Sequence, residues 1–190
     1  MMNNTYRSGL KITPIDGGRA RALTCLIEVR DSLEQLMNLA GNLNHATLVL
    51  FNPNHVVGNA HVTTAVDYAV TAFRERKNIA RSLHVEAFLF AAATNEISEA
   101  LELFRPQPYV KRAIAAIVSD DSEGCFKALQ RIRESLETVG VVPRNRAAAE
   151  ALKEWLKIED REIGSVYATD FVDAIERCIL SRMTLLFLSR

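Results

Sequence analysis

Residues 22–51 read ALTCLIEVRDSLEQLMNLAGNLNHATLVLF, and two changes of pattern inside them decide the class of fold. The opening run, ALTCLIEV, is apolar and partly β-branched, the composition of a strand buried on both faces. It gives way to Ser32 followed three residues later by Gln35, a capping box that starts a helix. Leu33, Leu36, Met37 and Ala40 then recur on one face, and Gly41 supplies the left-handed stop. A second buried strand follows at His45–Phe51, ended by Asn52-Pro53-Asn54, where proline has no amide to give a sheet and asparagine suits a turn.

Working outward, the same logic predicts a helix over Asn59–Arg76, with Ala65, Val66, Ala69, Val70 and Phe73 on its apolar face. A third strand is expected at His84–Ala92. Thr94 and Asn95 are placed to cap a short helix carrying Ile97, Ala100, Leu101 and Phe104, which Arg105-Pro106-Gln107-Pro108 ends. The fourth strand is Val110–Ser119. An acidic turn then opens a helix with Phe126, Leu129, Ile132 and Leu136 at core spacing, and everything after Gly140 and Pro143 patterns as helix. The expectation is one domain over 1–190, with 1–20 set apart as a flexible N-terminal segment. Its class is α/β (α+β): a small mixed or antiparallel four-stranded sheet covered by helices, with a helical C-terminal third.

Composition narrows the function. The 23 basic and 23 acidic side chains cancel, which excludes a protein that coats nucleic acid along its length. Cys25, Cys125 and Cys178 are far apart and odd in number, so neither a disulfide framework nor a CxxC zinc site is indicated. Met1–Thr13 lacks the apolar centre of a signal peptide, and no stretch reaches the roughly 20 apolar residues of a membrane span. The expected compartment is the cytoplasm, and the nucleus too in a eukaryote. No GxSxG, HExxH, Walker A or GxGxxG occurs. The one metal-like set is His55, His61, His84 and Glu86, with His84 and Glu86 on one face of the expected third strand; it would suit a small metal-dependent hydrolase.

The segment from Asn52 to Phe104 carries a resemblance. A strand ends at Asn-Pro, an alanine-seeded helix and a basic turn follow, then LHVEAFLF with Glu86 at its centre, then Asn95-Glu96-Ile97-Ser98-Glu99-Ala100. With Val172-Asp173-Ala174-Ile175-Glu176-Arg177 near the end, this resembles the kinase-binding regulatory subunit of the KEOPS (EKC) complex, the TPRKB-like, CGI-type family. Two features depart from the family pattern: Arg105-Pro106-Gln107 stands where members carry glycine and an aliphatic residue, and the tail MTLLFLSR is unusually apolar.

The resemblance implies a non-catalytic subunit that needs no cofactor. It would bind and regulate the small atypical kinase of KEOPS beside the threonylcarbamoyl transferase, and help recruit tRNA by its 3′ CCA end for threonylcarbamoyladenosine formation next to the anticodon. The candidate kinase interface is the last helix, with Phe171, Ala174, Ile175, Cys178, Ile179 and Met183 in a stripe that Leu185-Leu186-Phe187-Leu188 extends. The same stripe also suits a helix covering its own sheet. The candidate tRNA surface is the basic turn of Arg74, Arg76, Lys77, Asn78 and Arg81, with Ser82 and Asn95, and a neighbouring pocket to stack the terminal adenine. Taken alone, those cations also suit a solvated helix end. A homodimeric adaptor pairing through the apolar C-terminus is the remaining reading.

Overall fold

The computed structural model describes residues 10–39, 43 and 46–190. Ala40, Gly41 and His45, to which the sequence pattern assigns a helix end and a strand start, lie outside them. Strand β2 (Ala20–Val29) is the spine of the sheet. One flank pairs along its length with β4 (Arg112–Ser119), which in turn pairs with β3 (Ala46–Phe51). The other flank is shared: β1 (Lys11–Ile15) pairs with its first half and β5 (Leu136–Gly140) with its second. Every pairing is antiparallel, so the expected α+β class holds, with five strands rather than four among the described residues.

Alternation along the strands makes two cores. Leu23, Cys25 and Ile27 of β2, Leu48 and Leu50 of β3, and Ala113, Ala115 and Ile117 of β4 face α1 (Leu33–Leu39) and α5 (Ser122–Ile132). Ala20 and Ala22, Val49 and Phe51, and Ile114, Ala116 and Val118 face the opposite way. They meet α2 (Asn59–Glu75), α3 (Leu83–Ala91), α4 (Ile97–Phe104), α6 (Arg146–Trp155) and α8 (Phe171–Leu188), while α7 (Asp160–Ser165) packs on α8. Ala65, Ala69 and Ala72 are fully buried on α2, small enough to bring that helix down onto β1 and β2.

Two expectations are corrected. The strand expected at His84–Ala92 is helix α3: Glu86 to Ala91 are all buried, because α3 packs against α2, α4, α8 and β3 at once. A helix buried over most of its length shows no polar face, and a short apolar run then reads equally as strand. Leu136 is the first residue of β5, not the last of α5, since a 3-10 turn at Arg133–Ser135 ends that helix. Within residues 1–20 lie β1, which pairs with β2, and the turn Asp16–Gly18.

Candidate interaction surfaces

The last helix starts at Asp170, whose carboxylate accepts from the Asp173 amide at 3.0 Å and is gripped by both terminal nitrogens of Arg144. Of the stripe expected to meet a kinase, Ala174, Ile175, Cys178, Ile179 and Met183 are buried in the chain's own core, and half-buried Phe171 lies under the Arg146 guanidinium, 5.4 Å from the ring centroid. These inner side chains hold α8 onto α2, α3 and α6. What α8 turns outward is the extension of the stripe. Leu185 and Leu188, three residues apart on one face, are 68% and 73% exposed. Phe187 beside them turns back to stack on Tyr68, with ring centroids 4.9 Å apart.

The helix is also tied down by charge. Glu176 reaches to the start of α2, where Gly58 precedes the first turn, and accepts from the His61 amide at 2.9 Å. A Cβ on Gly58 would meet its Oε1 at 2.7 Å, so the carboxylate needs glycine there. Burial raises the Glu176 pKa, partly offset by the hydrogen bond from His61.

The basic turn is sorted by its partners. Arg74 is taken by buried Asp16, Nε to Oδ1 at 2.6 Å, and Lys77 by Glu75 at 3.2 Å and by the face of Phe187. Asn78 donates to the Ala80 carbonyl, and Asn95 accepts twice from Arg190. Arg76 and Arg81 are exposed and make no side-chain hydrogen bond or ion pair among the described residues. Arg76 moreover closes α2 with φ of 59°, a left-handed conformation that glycine would adopt with less strain.

Beside this turn a cleft of about 350 Å³ opens between β3, α3 and α4. Leu48, Leu50, Val85, Phe88 and Leu101 make its walls, and its polar groups are His84 and Arg105. His84 contacts Ser82 at 3.3 Å, which joins the cleft to the end of the basic turn. Its pKa is lowered, first by burial of part of the ring and then by the charge of Arg105. The imidazole is therefore neutral at pH 7, and Arg105, which has no ion-pair partner among the described residues, is the fixed charge. Nothing in the sequence pattern singles out Arg105 for this; the Arg-Pro departure at the end of α4 is the one signal that could have.

The metal-like set is not brought together. His61 is fully buried, its Nδ1 accepting from the Val57 amide at 3.3 Å and its Nε2 donating to the Ala91 carbonyl at 3.0 Å. Burial lowers its pKa to about 4. His55 bonds the Leu103 carbonyl, and Glu86 pairs with Arg190. As α3 is a helix, His84 and Glu86 point roughly 200° apart rather than along one face. Among the described residues no group of three or more His, Cys, Asp or Glu is placed to hold a metal. The thiols of Cys25 and Cys125 are buried, which pushes their pKa values up to about 12 and about 11 and keeps both protonated at pH 7. No helix among the described residues is long and apolar enough to cross a membrane.

Against known proteins, the sequence model of one family, described as kinase binding protein CGI-121, matches residues 27–186. A search of curated proteins returned no match. The matched span takes in the last residues of β2, every later strand and nearly all of α8, so the basic turn, the cleft and Leu185 fall inside it and Leu188 lies just beyond.

Proposed function

Because the chain belongs to the CGI-121 family of kinase-binding proteins, we propose that it is a non-catalytic regulatory subunit of the KEOPS complex that docks the small atypical kinase through the outer face of α8. The observation that carries this reading is the exposure of Leu185 and Leu188 on a helix whose opposite face is buried. Two large aliphatic side chains held out by a rigid helix are the makings of an interface centre. The test is co-purification of the kinase with Leu185→Asp/Leu188→Asp, checked for native fold by circular dichroism. Loss of the kinase is expected, and an undiminished complex overturns the placement. A mass that doubles without the kinase would instead assign the leucines to a second copy of the chain.

A second surface supports tRNA recruitment. Arg76 and Arg81, unpaired among the described residues, stand at either end of one short loop, and Ser82 after it touches His84 of the cleft that Phe88 and Arg105 also line. Arginines position a phosphate backbone, and an apolar cleft with an aromatic wall takes an unstacked base such as the terminal adenine of a CCA end. Arg105 in the cleft lining supplies the charge that would neutralise the phosphate of that nucleotide. In this arrangement the chain presents tRNA to the threonylcarbamoyl transferase of the complex without doing chemistry itself. Arg76→Gln/Arg81→Gln should weaken tRNA binding and flatten the slope of log affinity against log salt by about 0.7–0.9 for each phosphate no longer neutralised. Unchanged affinity and slope would end this reading.

A further inference from the structure

Glu86 is fully buried on α3, and its two oxygens do different work. Oε2 accepts from the backbone amides of Ile79 at 3.0 Å and Ala80 at 2.7 Å, the middle of the loop between Arg76 and Arg81. Oε1 accepts from Nη1 of Arg190, beyond the end of α8. The Arg190 side chain is 5% exposed and leaves no direction unused. Its guanidinium sits 4.4 Å from the centroid of Phe90, and its Nε and Nη2 both donate to Asn95 Oδ1, at 3.0 and 2.8 Å.

We propose that Arg190 and Glu86 are positioning residues for the loop that presents Arg76 and Arg81 to RNA. The proposal rests on the tRNA reading above. A guanidinium so enclosed cannot reach a phosphate; it holds the carboxylate that holds the two peptide groups. By fixing Ile79 and Ala80, the pair sets the separation and direction of the two free arginines before any ligand arrives. Binding then does not bear the entropy of ordering the loop. The anchor comes from the far end of α8, so the loop is ordered only when that helix is seated along its length.

The test compares Arg190→Ala, Arg190→Lys and Arg76→Gln/Arg81→Gln in the full chain, using an unmodified tRNA transcript over a range of salt, with hydrogen exchange read residue by residue. With Arg190→Ala, the Ile79 and Ala80 amides should exchange faster while those of β2 and β4 do not. Affinity for tRNA should fall about tenfold with the salt slope unchanged, because the phosphates are still neutralised and only the ordering of the loop is gone. Arg190→Lys keeps the charge but gives up the fork to Asn95, and should fall between the two. A salt slope reduced as in the double variant would mean that Arg190 touches RNA, and would overturn the proposal. Wild-type affinity in Arg190→Ala, with weakened binding in Arg76→Gln/Arg81→Gln, would overturn it and leave the RNA surface standing. Wild-type affinity in both would remove the surface and the proposal together. If Arg190→Ala does not fold, Arg190→Lys decides: reduced affinity at constant slope supports the role, and unchanged affinity overturns it.

Discussion

The two faces of the sheet are built by different rules. Toward α1 and α5 the core is aliphatic: Leu23, Cys25 and Ile27 meet Leu33, Leu36 and Ile132, and among the described residues its one buried polar side chain is Ser119 at the edge, against Gly124. Toward α2, α3 and α8 lie the other four buried polar groups, Asp16, Thr24, His61 and Glu86, each bonded to a second element. Asp16 joins the β1 turn to Arg74 of α2, Thr24 joins β2 to Asn59, His61 joins α2 to the end of α3, and Glu86 joins α3 to the basic loop and to Arg190. Apolar contacts supply burial energy with little directional preference, whereas a buried hydrogen bond is satisfied in one geometry only. The face that must hold helices and loops in register for partners is the one with the polar links.

The comparison can be broken in order of size. Ile117→Ala, on the aliphatic face, should cost roughly 3–4 kcal/mol in urea unfolding, and the same at pH 7.5 and pH 5, since the described core residues it packs among are apolar. A cost that changes with pH would contradict the division. On the linked face the pH dependence should belong to the wild type itself. His61 has a folded pKa of about 4, below its ordinary 6.5, so the unfolded chain takes up the proton first and stability falls as pH is lowered from 7.5 to 5. The expected loss is about 2 kcal/mol by pH 5, visible as a falling urea midpoint. Glu176, raised by burial, acts in the opposite sense, so Glu176→Gln should steepen the fall.

Gly58→Ala should cost about 1 kcal/mol, the worth of a helix cap, because the new methyl displaces the Glu176 carboxylate from the His61 amide. Hydrogen exchange should show the weakening at the first turn of α2. Leu185→Ser and Leu188→Ser should each change stability by less than about 0.5 kcal/mol, as exposed positions do. Their effect is expected in kinase affinity alone, which calorimetric titration with the purified kinase would measure.

The aliphatic face was the more legible of the two. The apolar runs of β2, β3 and β4 and the spacing of Leu129 and Ile132 are local signals, and they placed the strands close to their observed bounds and α5 at its start. On the other face local signals misled. Helix α3 is buried from Glu86 to Ala91 and so lacks the period that marks a helix. The aliphatic face has one such miss of its own, Leu136, which continues the helical spacing of α5 past the turn that ends it. The basic turn was visible as a cluster. Which of its cations are free was not, because Arg74 is claimed by Asp16, 58 residues away in the chain. The stripe of α8 was visible too, but α8 is apolar on more than one arc, and only packing decides that Ile175 and Ile179 turn inward and Leu185 and Leu188 outward.

The shared flank of β2 has a consequence for behaviour at high concentration. Residues 20–24 are matched by β1 and residues 26–29 by β5, so this margin of the sheet consists of two five-residue pieces with a seam at Cys25. A stray extended chain finds no long, flat rail there on which to zip itself, and self-templated fibre growth from that side would stall at the seam.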